Sequence, residues 1–264
     1  KKVQWLMEQG FSRVVLAREL SVKEIASIHE AVPDVEIESF VHGALCVSYS
    51  GQCYASQYCF GRSANRGECA QFCRLKFNLL DSEGNTIMHQ KHLPSLKDLC
   101  LYDHIEELLE AGVSSLKIEG RLKDVSYVKN VVAAYSMRLN DIISRHPNKY
   151  KRASEGLVDY DFTPNLRKTF NRGFTNYFLH GRNGSIASFE TPKAIGEHVG
   201  RVKEVGNGYI IVSGTSRFSN GDGLCFINSK NELEGFRVNK AENNRLHVLH
   251  IPKGIRKGSA LYRN

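Results

Sequence analysis

Over residues 1–145, apolar positions switch repeatedly between helical and strand periods. Val3, Leu6 and Met7 recur at helical spacing and predict a helix over 2–9. Val14-Val15-Leu16-Ala17 is a short apolar run and predicts a buried strand. Ser21, with Glu24 three residues later, is placed to cap a helix reaching about Ala31. Residues 35–41 predict a second strand. The periodicity then fades over 43–74, where Gly, Ser, Asn and Arg accumulate, and so long a loop needs something other than an apolar core to order it. Residues 77–80 and 86–88, joined by 81–85, predict a hairpin. Alternation resumes with a helix over 104–111 stopped by Gly112, a strand over 115–118 and a long helix over 124–145. On that last helix Val125, Val128, Val132, Tyr135 and Leu139 form the expected apolar stripe.

Strands alternating with helices imply parallel βα units, hence an α/β fold. A whole (β/α)8 barrel needs about 250 residues, and only three such strands are visible before residue 145. Residues 1–145 are therefore expected to be the C-terminal half of a (β/α)8 TIM-like barrel, with a cysteine-rich loop that a metal cluster could order inserted over 43–100. Helical spacing is already under way at Val3 and no Met begins the chain, so a fragment of a longer protein is expected. After about residue 192 the pattern changes to short runs at 199–202, 209–212, 223–227 and 246–249, punctuated by turns such as Gly206-Asn207-Gly208. That spacing predicts a small antiparallel β-barrel over 193–264, with 146–192 as a basic connector.

Charge sharpens the view of the connector. The formal net charge is +8, and the excess gathers at Arg145, Lys149, Lys151, Arg152, Arg167, Lys168, Arg172 and Arg182, against only Glu155, Asp159 and Asp161. Phe170, Phe174, Tyr177 and Phe178 are interleaved with these cations. Clustered cations neutralise phosphates and aromatic faces stack on unpaired bases; a solvated basic surface with its aromatics turned inward fits the charge equally well. No apolar run is long enough to span a bilayer, and no secretion signal is visible.

Of the seven cysteines, all but Cys225 fall between residues 46 and 100. An odd number without a secretion signal argues against a disulfide framework and for the reducing cytoplasm. Six residues separate Cys46 from Cys53, fifteen separate Cys53 from Cys69, and thirty separate Cys69 from Cys100. Four thiolates can hold zinc or a 4Fe–4S cluster. Structural zinc favours ligands two to four residues apart, and only Cys69 and Cys73 have that spacing. Spacing alone leaves zinc, a cluster and no metal open. Cys225, in Gly223-Leu224-Cys225-Phe226, is expected to be a buried thiol.

Functional groups in βα folds collect at the C-terminal ends of the strands. Arg18-Glu19, His42-Gly43 and Glu119-Gly120-Arg121 occupy those positions after three predicted strands. His42 and Glu119 are candidates for proton transfer, and Arg18 and Arg121 for binding an anion. Lys117, within the third strand, would support them. An ion-pair network that merely closes the mouth is the alternative.

The run from Glu38-Ser39-Phe40-Val41-His42-Gly43 to Cys53 resembles the collagenase-like peptidase family U32. So do Asn65-Arg66-Gly67-Glu68-Cys69 through Arg74, Asp98-Leu99-Cys100, and Leu116-Lys117-Ile118-Glu119-Gly120-Arg121. The resemblance implies a 4Fe–4S cluster on Cys46, Cys53, Cys69 and Cys100, with Cys59 and Cys73 outside it. It also implies oxygen-independent hydroxylation of a ribosomal or transfer RNA pyrimidine, or of the ubiquinone ring, with prephenate as the hydroxyl donor. Residues 167–175 and 177–182 look like the branch that hydroxylates a cytidine of the large ribosomal RNA at carbon 5. On that likeness Arg167, Lys168, Arg172, Phe174 and Arg182 are the expected contacts to RNA; no DNA or membrane partner is expected. Peptide hydrolysis is the competing expectation. Neither Gly-x-Ser-x-Gly nor His-Glu-x-x-His occurs, so it would need Cys59 or Cys73 as nucleophile and His42 as base. An iron–sulfur RNA-binding module without chemistry of its own is the third.

Overall fold

A computed structural model describes residues 1–156, 158–182 and 184–263. In chain order its elements are α1 (Lys2–Glu8), β1 (Arg13–Val15), α2 (Val22–Ala31), β2 (Glu36–Gly43), α3 (Ala55–Phe60), β3 (Phe77–Leu80), β4 (Thr86–Lys91), β5 (Asp98–Cys100), α4 (Ile105–Glu110), β6 (Val113–Ile118) and α5 (Val125–Arg145). They continue with β7 (Phe174–Thr175), β8 (Glu197–Gly206), β9 (Tyr209–Ser213), β10 (Gly223–Ile227), β11 (Leu233–Arg237), β12 (Lys240–Glu242), β13 (Arg245–His247) and β14 (Ala260–Arg263). Among the described residues, no helix is long and apolar enough to cross a membrane.

Contacts group the chain into two units. One comprises Lys1–Phe72, Leu96–Leu166 and Phe174–Ile186; the other comprises Cys73–Ser95, Arg167–Gly173 and the chain from Ala187 onward. The hairpin thus belongs with the C-terminal sheet, and the stretch 146–192 is shared between the units.

In the first unit β1, β2 and β6 run parallel, with Val14 opposite Ile37 and Phe40 opposite Lys117. This is the alternation that the apolar runs predict. Two very short strands extend the sheet: β5 pairs antiparallel with the end of β2, and β7 pairs parallel with β5. Ser21 caps α2 as expected, its hydroxyl accepting from the Glu24 amide while the Glu24 carboxylate accepts from the Ser21 amide. Such a reciprocal cap contributes about 1 kcal/mol. Helix α5 buries Tyr135 of its expected stripe but departs from the rest of it. Tyr127, Val131, Ala134, Tyr135 and Ile142 are buried, whereas Val125, Val128 and Val132 are exposed. Both faces carry apolar residues, and the one bearing the two tyrosines is the one that meets the sheet.

In the second unit seven strands form one antiparallel sheet in the order β11-β10-β14-β8-β9-β13-β12. Val199, Val202, Ile210, Leu224, Phe226, Leu246 and Leu261 build its core. Asn207-Gly208 turns β8 into β9, with Gly208 at a φ of +75° that glycine adopts without a Cβ penalty. Lys76 and Lys91, flanking the β3–β4 hairpin, pair with Glu232 at 3.3 Å and Glu190 at 2.9 Å. Cys225 is buried as expected. Burial raises its thiol pKa to about 11, which makes it an unreactive core residue.

Candidate active site at the strand ends

The ends of β1, β2 and β6 meet at one place in the first unit. Arg18 Nη2 donates to Glu119 Oε2 at 2.7 Å. The Arg18 guanidinium also lies 3.6 Å from the centre of the Phe40 ring, so a planar cation is held between a carboxylate and an aromatic face. The Glu119 amide donates to the His42 carbonyl at 2.8 Å, which continues the β2–β6 pairing one residue past the strand. Gly43 makes that approach possible: a Cβ there would lie 2.5 Å from Glu119 Cβ, and its φ is +116°.

His42 is 1% exposed and is walled by the rings of Tyr127, Tyr135 and Phe174, at 6.1, 5.6 and 5.6 Å. Burial alone lowers its pKa to about 4, so it is neutral at pH 7. The Tyr135 hydroxyl donates to the Val41 carbonyl at 2.9 Å and lies 3.3 Å from His42 Nδ1. With the tyrosine proton directed to Val41, the hydroxyl oxygen is left to accept from an Nδ1–H of His42. Tyr127 and Tyr135 are the participants that sequence reasoning missed. Their i, i+8 spacing on α5 aims both at β2, but in sequence it looks like ordinary core.

The two remaining strand-end residues have different surroundings. Arg121 is exposed and reaches toward the Gly67 carbonyl at 3.5 Å, in the cysteine loop. Lys117 donates to Glu38 at 2.8 Å on the sheet edge. A cavity of about 10 Å³ lined by Arg18, Phe40, Leu99 and Asn176 lies beside the ion pair. It has room for one water.

All seven cysteines are thiols. Cys46, Cys53, Cys69 and Cys100 belong to the first unit, with Cys46 and Cys69 exposed and Cys53 and Cys100 half-buried. Cys100 stands opposite His42 on the antiparallel rung between β5 and β2, and its sulfur is 4.0 Å from the Tyr135 hydroxyl. Polar contacts rather than apolar packing order the loop. Glu19 accepts from the Ser50 amide at 2.8 Å, Asn65 Oδ1 from the Cys53 amide at 3.3 Å, and buried Ser56 Oγ from the Ala70 amide at 3.1 Å. The Gln71 amide donates to Cys69 Sγ at 3.4 Å. Among the described residues no three cysteine sulfurs lie within 4.8 Å of one another. One tetrahedral zinc on these thiols would therefore need rearrangement. Four thiols in one unit, two of them exposed and two half-buried, are the donor set that an iron–sulfur cluster takes.

The expected RNA contacts divide. Arg167 and Lys168 are exposed in the second unit. Arg172, in the same unit, is 8% exposed, and its Nε donates to the Pro192 carbonyl at 2.7 Å while the guanidinium lies 4.8 Å from the Phe170 ring. Its charge is thus used inside the unit. Phe174 packs on His42, and Arg182 is exposed, 3.3 Å from the Tyr49 hydroxyl.

Comparison with known proteins gives this arrangement a lineage. The family model described as peptidase family U32 matches residues 1–188. The 23S rRNA 5-hydroxycytidine C2501 synthase of Escherichia coli is 47% identical over 242 residues, covering 92% of this chain and 37% of that protein. The tRNA hydroxylation protein P1 of Bacillus subtilis is 40% identical over 190 residues, 70% of this chain and 43% of that protein. A collagenase of Porphyromonas gingivalis is 36% identical over 185 residues, 65% of this chain and 43% of that protein. The chain therefore spans less than half the length of these relatives. No solved structure matches it. By the family match and these identities, the chain belongs to peptidase family U32.

Proposed function

We propose that this chain is the cluster-bearing portion of a cytoplasmic RNA-modifying enzyme, one that hydroxylates a pyrimidine, a ribosomal RNA cytidine, at carbon 5. The observation that carries this reading is the rung shared by His42 and Cys100, which couples the expected proton-handling mouth to the expected cluster ligands through one backbone pairing. The likeness to a 23S rRNA 5-hydroxycytidine synthase over 92% of the chain supports it. In this reading Cys46, Cys53, Cys69 and Cys100 hold a 4Fe–4S cluster, which when bound supplies redox chemistry that does not require O₂. Glu119, the more exposed member of its ion pair, accepts or returns a proton at the target base. Arg121 binds a carboxylate of the organic hydroxyl donor, prephenate being the expected one. Arg18, shared with Glu119, sets the carboxylate's position, and His42 stays neutral beneath it and fixes the end of β2. Exposed Arg167, Lys168 and Arg182 contact RNA phosphates.

The parallel β1, β2 and β6 also fit part of a (β/α)8 barrel. The exposed Val125, Val128 and Val132 stripe is a surface that the additional length of the relatives would cover.

The test is a deletion strain complemented with full-length protein in which Cys46 or Cys100 is replaced by Ser. Loss of the visible cluster absorption together with loss of RNA hydroxylation, read by mass spectrometry, is expected. Full hydroxylation by either variant defeats the proposal. Normal RNA with peptide cleavage that survives iron chelation would instead support the peptidase reading suggested by the collagenase relative.

A further inference from the structure

Away from the strand-end mouth, two imidazoles converge on one carboxylate. His104 precedes α4, Glu107 lies in its first turn, and His180 comes from the turn after β7. Glu107 oxygens lie 2.9 and 3.0 Å from His180 Nε2 and 3.4 Å from His104 Nδ1. The histidine rings are 4.9 Å apart and inclined at 71°, so they meet edge to face rather than stacking. One nitrogen from each ring and one Glu107 oxygen all lie within 4.8 Å of one another. All three side chains keep a solvent-facing portion, with 30%, 39% and 44% exposure for His104, Glu107 and His180. A cation can therefore enter without unfolding the unit.

We propose that His104, Glu107 and His180 form a binding site for a borderline divalent cation of the zinc class, with water completing its coordination. Two imidazoles and a carboxylate are the donors such ions prefer, whereas magnesium and calcium favour all-oxygen shells. Ligand atoms around a tetrahedral zinc sit roughly 3.3 Å apart, within reach of small side-chain rotations from the observed positions. His180 also has a supporting partner: its Nδ1 lies 3.3 Å from the Asn176 side-chain amide. Once Nε2 binds metal, Nδ1 carries the hydrogen, and the amide turned about its axis offers Oδ1 to accept it. The ion would tie the 176–181 turn to α4. The Leu179 carbonyl of that turn already accepts from the Val22 amide at 2.9 Å, and β7, immediately before the turn, carries Phe174 against His42. The site would thus steady one wall of the mouth without taking part in its chemistry.

The test is anaerobic titration of the cluster-loaded full chain with cobalt(II), followed by zinc competition. One equivalent of cobalt is expected, with weak visible bands and none of the intense near-ultraviolet charge transfer that thiolate ligands give. Zinc should displace it. Replacing exposed His180 (His180→Ala) should weaken binding by at least about tenfold, and Asn176→Ala by about tenfold, as loss of a supporting hydrogen bond to a ligand does. His104→Gln is the second variant and should behave like His180→Ala. Binding that shows only thiolate charge transfer, unchanged affinity in either histidine variant, or magnesium binding as tightly as zinc would each overturn the proposal.

Discussion

Arg18 and Glu119 meet at 2.7 Å across the ends of β1 and β6, and the aromatic face of Phe40 lies beneath the arginine. Neither residue is close to the other in sequence. Parallel strand order alone brings them together, because each is among the first residues beyond its strand. The pair leaves Glu119 partly exposed, with its direction fixed by a planar partner.

Glu119→Gln separates a chemical role from a structural one. Glu119 keeps 40% of its side chain exposed, and ion pairs so placed contribute about 1 kcal/mol or less. The variant should therefore unfold within about 1 kcal/mol of the parent in denaturant titration. RNA hydroxylation should fall by about a hundredfold or more, the usual loss when a proton-transfer group is removed. Activity that falls only in proportion to stability would mean that the pair simply closes the mouth.

Gly43→Ala strikes the same place through the backbone. The added methyl would meet Glu119 Cβ at 2.5 Å and the Glu119 carbonyl at 2.7 Å, at a φ of +116° that an L side chain rarely adopts. Overpacking and strain of this kind cost about 1–3 kcal/mol each. A lowered denaturant midpoint is expected, with activity lost even at temperatures where the variant stays folded. A Gly43→Ala protein as stable and active as the parent would show that β6 can move aside.

Much of this site could be read from residue order. The Ser21–Glu24 cap, the Asn207-Gly208 turn and the three strand-end positions depend on a few neighbouring residues, so local chemistry reveals them. β5 and β7 were not visible, because strands of three and two residues exist only through pairing with partners far along the chain. The α5 stripe holds only at Tyr135 for a related reason: Val125, Val128 and Val132 satisfy the helical period as well as Tyr127, Val131 and Ala134 do, and only the sheet selects between them. Arg172 looks like its basic neighbours in sequence, and only the fold shows its hydrogen bond to Pro192.

The neutral, buried His42 predicts an acid-dependent loss of stability. Its pKa falls from 6.5 to about 4 on folding because burial penalises the charged ring. Between those values the unfolded chain binds a proton that the folded chain does not, so unfolding takes up a proton and acid favours it. This contribution is absent above pH 6.5, grows as pH falls, and levels off below about pH 4 at roughly 3 kcal/mol. His42→Gln, which cannot titrate, should flatten this part of the curve of urea midpoint against pH. An unchanged slope would mean that other groups carry the acid response.

Arg167 and Lys168 on the one hand, and Arg172 on the other, should separate surface charge from internal support. The first two are exposed, so replacing both with Ala should weaken RNA binding while moving the unfolding midpoint less than Arg172→Ala does. Each phosphate contact contributes about 0.7 to 0.9 to the slope of log affinity against log salt. The double variant should therefore lower that slope by roughly 1.5 if both contact phosphate. Arg172→Ala should do the reverse. Its Nε bond to the Pro192 carbonyl is part-buried, and removing the donor leaves that carbonyl without it, at a cost of about 1–3 kcal/mol. The salt slope should stay as in the parent while the midpoint falls. A reduced slope in Arg172→Ala, measured where the protein is fully folded, would mean that this side chain leaves its internal partner to meet RNA.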